Sequence, residues 1–332
     1  MDIGLILAAA GIGVVVGLTG MGGGALMTPT LVLFFGIPAP VAVSSDVVAA
    51  AAMKPFGSWV HIKHGTVNWK LVRLLTYGSV PAAFGGVLLQ HALGNADTLE
   101  TFTKKALGVA LILASAGLLV RAYLRLRERA RSRDGSAAPL PKERPDVVPR
   151  PVPTVIVGVI GGLMVGLTSV GSGSLIIIAL MALYPALKAS QLVGTDLVQA
   201  VPLVVSAAIA HLMFGEVDWS VTLPVIIGSI PGTYLGAHLS SRVGGGLVRR
   251  ALAMVLMVSG LKMLGASNEL TLAALATALI GGTLAWALIR RRLGFSFFIW
   301  QAKRARAAET AAMAAEITPP AEAAKPADTK EG

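Results

Sequence analysis

The chain carries the same message twice. Residues 17–26 read GLTGMGGGAL and residues 166–175 read GLTSVGSGSL. The echo then runs without a gap at an offset of 150, pairing Asp46 with Asp196, His61 with His211, Gly65 with Gly215, Trp69 with Trp219, Gly78 with Gly228, Pro81 with Pro231 and Gly86 with Gly236. A duplicated apolar segment, interrupted by glycine at corresponding places, is the pattern of a membrane protein built from two related halves that meet at a central site.

The rest of the sequence agrees with a bilayer as solvent. Hydrophobic residues make up 55% and charged residues only 14%, and the mean hydropathy is +0.74. Apolar segments follow one another at 3–19, 23–37, 41–62, 68–91 and 103–121, then at 153–168, 172–187, 190–213, 219–240, 247–265 and 270–289. This predicts an all-α polytopic fold of two five-segment repeats and one additional C-terminal helix. The expected boundaries are a first repeat over 1–121, a basic, Pro-rich cytoplasmic linker over 122–152, a second repeat over 153–265, an extra helix over 266–292 and a tail over 293–332. The linker is too polar to bury a core. The tail begins with an aromatic patch from Phe295 to Trp300 suited to the membrane interface, or to a short surface-lying helix. The first segment lacks a basic leader and runs into the repeat, so it does not read as a removable signal peptide.

Charge placement sets the expected orientation. With the linker cytoplasmic, the loops holding Lys63, Lys70, Arg73, Lys188, Arg242, Arg249 and Arg250 are cytoplasmic, while Asp97, Glu100, Glu216, Asp218 and Glu269 fall outside. Lys104, Lys105 and Lys262 dissent. Five segments per half is an odd number, so the second copy enters from the opposite side and the repeats are inverted. The first two segments of each half, 3–19 with 23–37 and 153–168 with 172–187, are short enough to form a re-entrant hairpin instead of two crossings, and the parity is the same either way. The net charge of +11 flanks apolar segments without interleaved aromatics, which argues for topology and lipid headgroups and against nucleic acid.

A bend inside hydrocarbon leaves backbone N–H groups unpaired at several kcal/mol each unless protein or a water-filled cavity receives them. The two Gly-rich stretches are therefore where a polar cavity is expected. Thr19, Gly22, Gly23 and Gly24 in the first, with Thr168, Gly171, Ser172, Gly173 and Ser174 in the second, offer amide and hydroxyl donors at helix N-termini that suit a small anion. Close helix packing is the competing reading, because Gly13 and Gly17, and again Gly162 and Gly166, have small-xxx-small spacing. Gly20, Gly22 and Ala25 match a dinucleotide fingerprint only superficially, since no strand precedes them.

Few formal charges lie inside the apolar segments, and those that do are candidates for function. Lys54, immediately before Pro55, is the candidate for holding an anion; pairing with Asp46 or snorkelling to the interface are its other readings. Val204 occupies the matching position. Asp46 and Asp196 follow Ser44-Ser45 and Gly194-Thr195, which read either as helix N-caps or as proton carriers. His61 and His211 are interfacial anchors or proton relays, Trp69 and Trp219 belt residues, and Pro81 and Pro231 kinks in the fourth segment of each half. With no cysteine, no HExxH, no GxSxG and no intramembrane acidic triad, neither an enzyme nor a metal or cofactor site is expected.

The two bends, the SSD and GTD steps, the HIKHG and HLMFG turns and the paired GSVP and GSIP motifs together resemble the TauE/SafE sulfite exporter family, over about residues 3–265. The resemblance implies secondary transport of sulfite or a related small sulfur oxyanion or organosulfonate across the cytoplasmic membrane, with protons as the coupling ion. Export is the expected direction, import of an organosulfonate or thiosulfate the alternative, and a non-transporting receptor or assembly factor the alternative of another class. Ser172 departs from the glycine-rich form where the first half has Gly23, so the two half-sites contribute unequally.

Overall fold

The structure, a computed structural model, describes residues 2–19, 23–133, 148–187, 189–239 and 245–292. Among these residues the chain forms eleven helices and no strand: α1 (Ile3–Thr19), α2 (Gly24–Phe34), α3 (Ala39–Lys63), α4 (Trp69–His91), α5 (Ala96–Arg133), α6 (Pro151–Thr168), α7 (Leu175–Leu183), α8 (Ala189–Phe214), α9 (Trp219–Leu239), α10 (Gly245–Met263) and α11 (Asn268–Arg292). The apolar segments and the helices correspond one to one. α5 is longer than its segment and runs through the first dozen residues expected to be linker. The remainder of the linker from 134 to 147, the aromatic patch, the tail and Gly22 lie outside the described residues.

Five helices are long and apolar enough to cross a membrane by themselves, among them α4, α6 and α11. α2 and α7 are not: 11 and 9 residues span about 16 and 14 Å against about 30 Å of hydrocarbon. These two half-length helices begin just after the Gly-rich bends.

Each half lends its first helix to the other. α1 packs along α9 and α6 along α4, in seams where backbone meets backbone. A Cβ at Gly158, Gly162 or Gly166 of α6 would strike the carbonyl oxygen of Leu75, Ser79 or Ala83 of α4, and one at Gly228, Gly232 or Gly236 of α9 would strike that of Ile6, Ala10 or Val14 of α1. The partners advance together by four residues, so each seam is parallel. Without a hydrophobic force between helices in lipid, such close approach supplies the dispersion contacts that hold them. The packing reading of Gly162 and Gly166 is thus what the structure shows, and Gly13 also faces backbone, at Ser229 and Thr233.

At the centre α3 packs on α8. Ser44 bonds His211 (2.9 Å) and Ser58 donates to the carbonyl of Leu197 (2.8 Å). Each step forward on α3 is therefore matched by a step backward on α8, and the two counterpart helices run antiparallel. The same register sets Ala52 and Met53 against Pro202 and Leu203, which are also their counterparts in the duplication. The midpoint of this antiparallel pair, its exchange point, thus falls one or two residues before Lys54.

The seams generate a first prediction. Gly162→Leu and Gly232→Leu should each destabilise the protein by at least about 1–3 kcal/mol, the usual cost of overpacking, and lower the yield of monodisperse protein. Gly281→Leu, at a position with open space around it, should leave thermal unfolding in detergent unchanged.

Candidate functional site

α6 ends at Thr168, and its last four carbonyls lose their helical partners there, as any helix end does. Those of Val165, Gly166 and Leu167 are answered. The Ser169 amide donates to the carbonyl of Val165 (2.8 Å), while the Thr168 hydroxyl adds a second donor to the carbonyl of Met164 one position earlier (2.6 Å). The buried ring of His211 donates from Nε2 to Gly166 (3.0 Å), and the buried Gln90 amide donates to Leu167 (2.9 Å). Because Nε2 donates to a carbonyl, the neutral ring accepts the Ser44 hydroxyl at Nδ1. The chain then turns through Ser169 (φ 60°), Gly171 (φ 148°) and Gly173 (φ 91°). A bend that places three residues in the left-handed half of φ space within five positions explains two of the glycines. Its first residue lies against the other half, since a Cβ on Gly24 would strike the Ser169 carbonyl.

Three buried charged groups gather on α3 and α8 beside the bends. Asp46 accepts the hydroxyl of Thr28 from α2 (2.7 Å), with the Ser169 hydroxyl beside it. Asp196 accepts the amide of Gln199 (3.2 Å), which in turn accepts the hydroxyl of Ser79 from α4 (3.3 Å), and the Gly173 backbone N–H lies against it. One oxygen of each carboxylate, Oδ1 of Asp46 and Oδ2 of Asp196, is buried with no hydrogen-bond partner among the described residues. Lys54 lies between them and donates to the Ser172 hydroxyl of the second bend. Asp46 stands eight residues back, about 12 Å along the helix, while Asp196, next to the residue facing Ser58, lies about 7 Å beyond Lys54 on the other side. All three side chains are nearly or fully shut off from outside, with Lys54 the most exposed at 9%. The centre is occluded.

The remaining candidates fall as follows. Thr19 and Thr168 spend their hydroxyls on their own helices. Gly23 opens α2 with ordinary helical backbone, and a Cβ there would meet Met53 at 3.5 Å and the free oxygen of Asp46 at 3.9 Å. Gly171 and Gly173 form the turn, Ser172 holds Lys54, and Ser174 stands buried at the start of α7. Neither Asp46 nor Asp196 is a helix cap, because α3 and α8 start seven residues earlier; the Ala39 amide at the start of α3 is received by Glu100 of α5 (2.8 Å). Lys54 does not snorkel. His211 is no interfacial anchor but a core residue, whereas His61 is half-buried at the end of α3 and bonds Thr66 (3.0 Å). α4 and α9 run unbroken through Pro81 and Pro231, and Trp69 and Trp219 are exposed at their first turns. A surface cleft of about 500 Å³ between the starts of α1 and α9 contains none of these residues except Trp219.

Sequence reading missed Thr28, Gln90 and Gln199. The available signal was that an amide inside an apolar segment needs a buried partner.

An all-helical bundle with half-length helices meeting at bends around buried charges defines a class, that of polytopic membrane transporters. Within it, this chain belongs to the TauE/SafE sulfite exporter family, whose sequence model, described as "Sulfite exporter TauE/SafE", matches residues 5–263. Similar proteins include the probable membrane transporter protein YjnA of Bacillus subtilis, 38% identical over 80% of this chain and 100% of its own length. YdhB of the same organism is 25% identical over 78% and 99%, and MJ0441 of Methanocaldococcus jannaschii 26% over 78% and 94%. Both carry the description probable membrane transporter protein as well. No solved structure matches the chain. The protein is a membrane transporter and not an enzyme.

His211 gives the second prediction. His211→Ala leaves the Ser44 hydroxyl and the Gly166 carbonyl unpaired, at about 1–3 kcal/mol for each buried group, and should lower the unfolding temperature in detergent clearly. His61→Ala, at a half-exposed ring, should lower it much less.

Proposed function

We propose that this transporter exports sulfite or a closely related small sulfur oxyanion or organosulfonate across the cytoplasmic membrane by alternating access, coupled to protons. The observation that carries the reading is the buried ammonium of Lys54 at the exchange point of the two halves, held by a hydroxyl of the second bend and, among the described residues, not paired directly to a carboxylate. An ammonium taken out of water is costly unless something compensates it, and a small anion between the bends is the compensation a carrier provides. Amides at the starts of α2 and α7 supply further donors, and the helix dipoles favour negative charge there.

The two halves take opposite orientations in this reading, supported by the antiparallel course of α3 and α8, and rock about the centre to expose the site to one face and then the other. Export is supported by the family's description. Proton coupling is supported by charge. Asp46 and Asp196 each present a free buried oxygen, and an anion entering beside them is repelled unless a proton neutralises one. The coupling proton then resides on Asp46 or Asp196.

The test is flux of labelled sulfite in proteoliposomes, with organosulfonates as competitors. Lys54→Ala and Gly23→Leu should abolish it while the protein inserts normally, and Trp69→Phe should leave it nearly intact. Wild-type flux in both site variants removes Lys54 and the first bend from the mechanism. An imposed pH gradient should stimulate wild-type flux, and Asp196→Asn or Asp46→Asn should make the residual flux insensitive to it; a wild type indifferent to the gradient contradicts the coupling.

A further inference from the structure

Two of the places where the halves differ bear on the ammonium. Lys54 corresponds to Val204, and Ser172 stands where the first half has Gly23. The structure brings the two departures into contact, for the Lys54 ammonium donates to the Ser172 hydroxyl across the boundary between the halves. The two aspartates match each other, while the groups that hold them differ: Gln199 on Asp196 corresponds to Ala49, and Thr28 and Ser169 on Asp46 correspond to Ile177 and Gly20. Lys54 is rooted just past the exchange point on the Asp196 side, Ser172 adjoins the Gly173 amide that lies against Asp196, and along the helix axis Asp196 is the nearer of the two carboxylates. A centre with one aspartate from each half is polarised by the single charged hydrogen bond of its ammonium.

We propose that Lys54 and Ser172 form the polarity element of the carrier: their one-sided contact makes the anion site tighter when it opens toward the Asp196 face than when it opens toward the Asp46 face. This rests on the transport reading above and adds to it. A bound anion takes the ammonium from Ser172. On the Asp196 side the ammonium is already in place and the Ser172 hydroxyl is free to turn and donate to the anion. On the Asp46 side the ammonium must first leave Ser172 and cross the exchange point, and the counterpart position holds only Gly23. The difference is about one hydrogen bond to a charged group, which corresponds to roughly a tenfold difference in Km. The loop of Lys63, Lys70 and Arg73 adjoins the Asp196 end, where the Asn68 amide donates to Thr195 (3.0 Å). By the positive-inside rule that end is cytoplasmic. The tighter face is thus the one from which an exporter collects its anion.

The duplication supplies its own test. The quadruple variant Lys54→Val, Val204→Lys, Gly23→Ser, Ser172→Gly moves the pair to its counterpart positions, and Gly23 has helical backbone and room for a Cβ. Sulfite Km is measured from each face in right-side-out and inverted membrane vesicles, with no potential or pH gradient. The wild type should show a Km about tenfold lower at the cytoplasmic face, and the quadruple variant the reverse. Ser172→Gly alone, which only restores the first half's residue, should shrink the difference to within about twofold, less than half of one hydrogen bond, and it keeps the test valid should the quadruple variant not fold. Equal Km at both faces of an actively transporting wild type, an asymmetry unchanged in Ser172→Gly, or one that stays on the cytoplasmic face in a folded quadruple variant each overturns the proposal and leaves the transport reading standing. Absence of sulfite flux in the wild type overturns the transport reading, and this proposal with it.

Discussion

Everything in this molecule depends on two seams where helices touch without side chains between them. Glycines on α6 admit the backbone of α4, and glycines on α9 admit that of α1. These seams cross the boundary between the halves, so neither half buries its own first helix. Lipid offers apolar surface no advantage in leaving it for a neighbour, and the attraction must come from close contact. A single Cβ at the wrong place removes that contact. The places where α1 and α6 stop follow from the seams, because their partner helices from the other half hold them there.

The second constraint is the accounting of polar groups. A helix that stops in the middle of a membrane protein exposes carbonyls, and the end of α6 is tolerated because the Ser169 amide, His211 and Gln90 answer those of Val165, Gly166 and Leu167. Two of those three come from helices that the seams and the α3–α8 pair bring alongside. Among the buried side-chain atoms left without a partner by the described residues are one oxygen of Asp46 and one of Asp196. Two such oxygens on either side of a buried ammonium supply the electrostatic condition for binding an ion there.

Much of this was legible from residues alone. The duplication, the helix succession, Lys54 as a lone intramembrane cation and the inequality of Gly23 and Ser172 can be read because repeats and charges in an apolar chain stand out. The dual use of glycine was harder. Gly162 and Gly166 pack while Gly171 and Gly173 turn, and no local pattern separates the two roles, since one is decided by a partner helix and the other by φ. Asp46 and Asp196 imitate caps because Ser, Thr and Asp favour helix starts; only the earlier start of α3, held by Glu100 from a distant helix, shows them to lie inside. Long-range partners such as Gln90 for Leu167 or Ser172 for Lys54 have no sequence spacing and appear only when the halves are assembled.

The central claim is that Lys54 holds a small anion between the bends. The most direct measurement is thermal unfolding of the purified protein in detergent as sulfite is titrated, comparing the wild type with Lys54→Met, which keeps the volume and removes the charge. A ligand that binds the folded state alone raises its stability in proportion to the logarithm of its concentration above Kd. The account predicts a saturable onset and a rising unfolding temperature in the wild type, and no sulfite-dependent shift in Lys54→Met beyond that given by chloride at equal ionic strength. An equal sulfite shift in both proteins contradicts it.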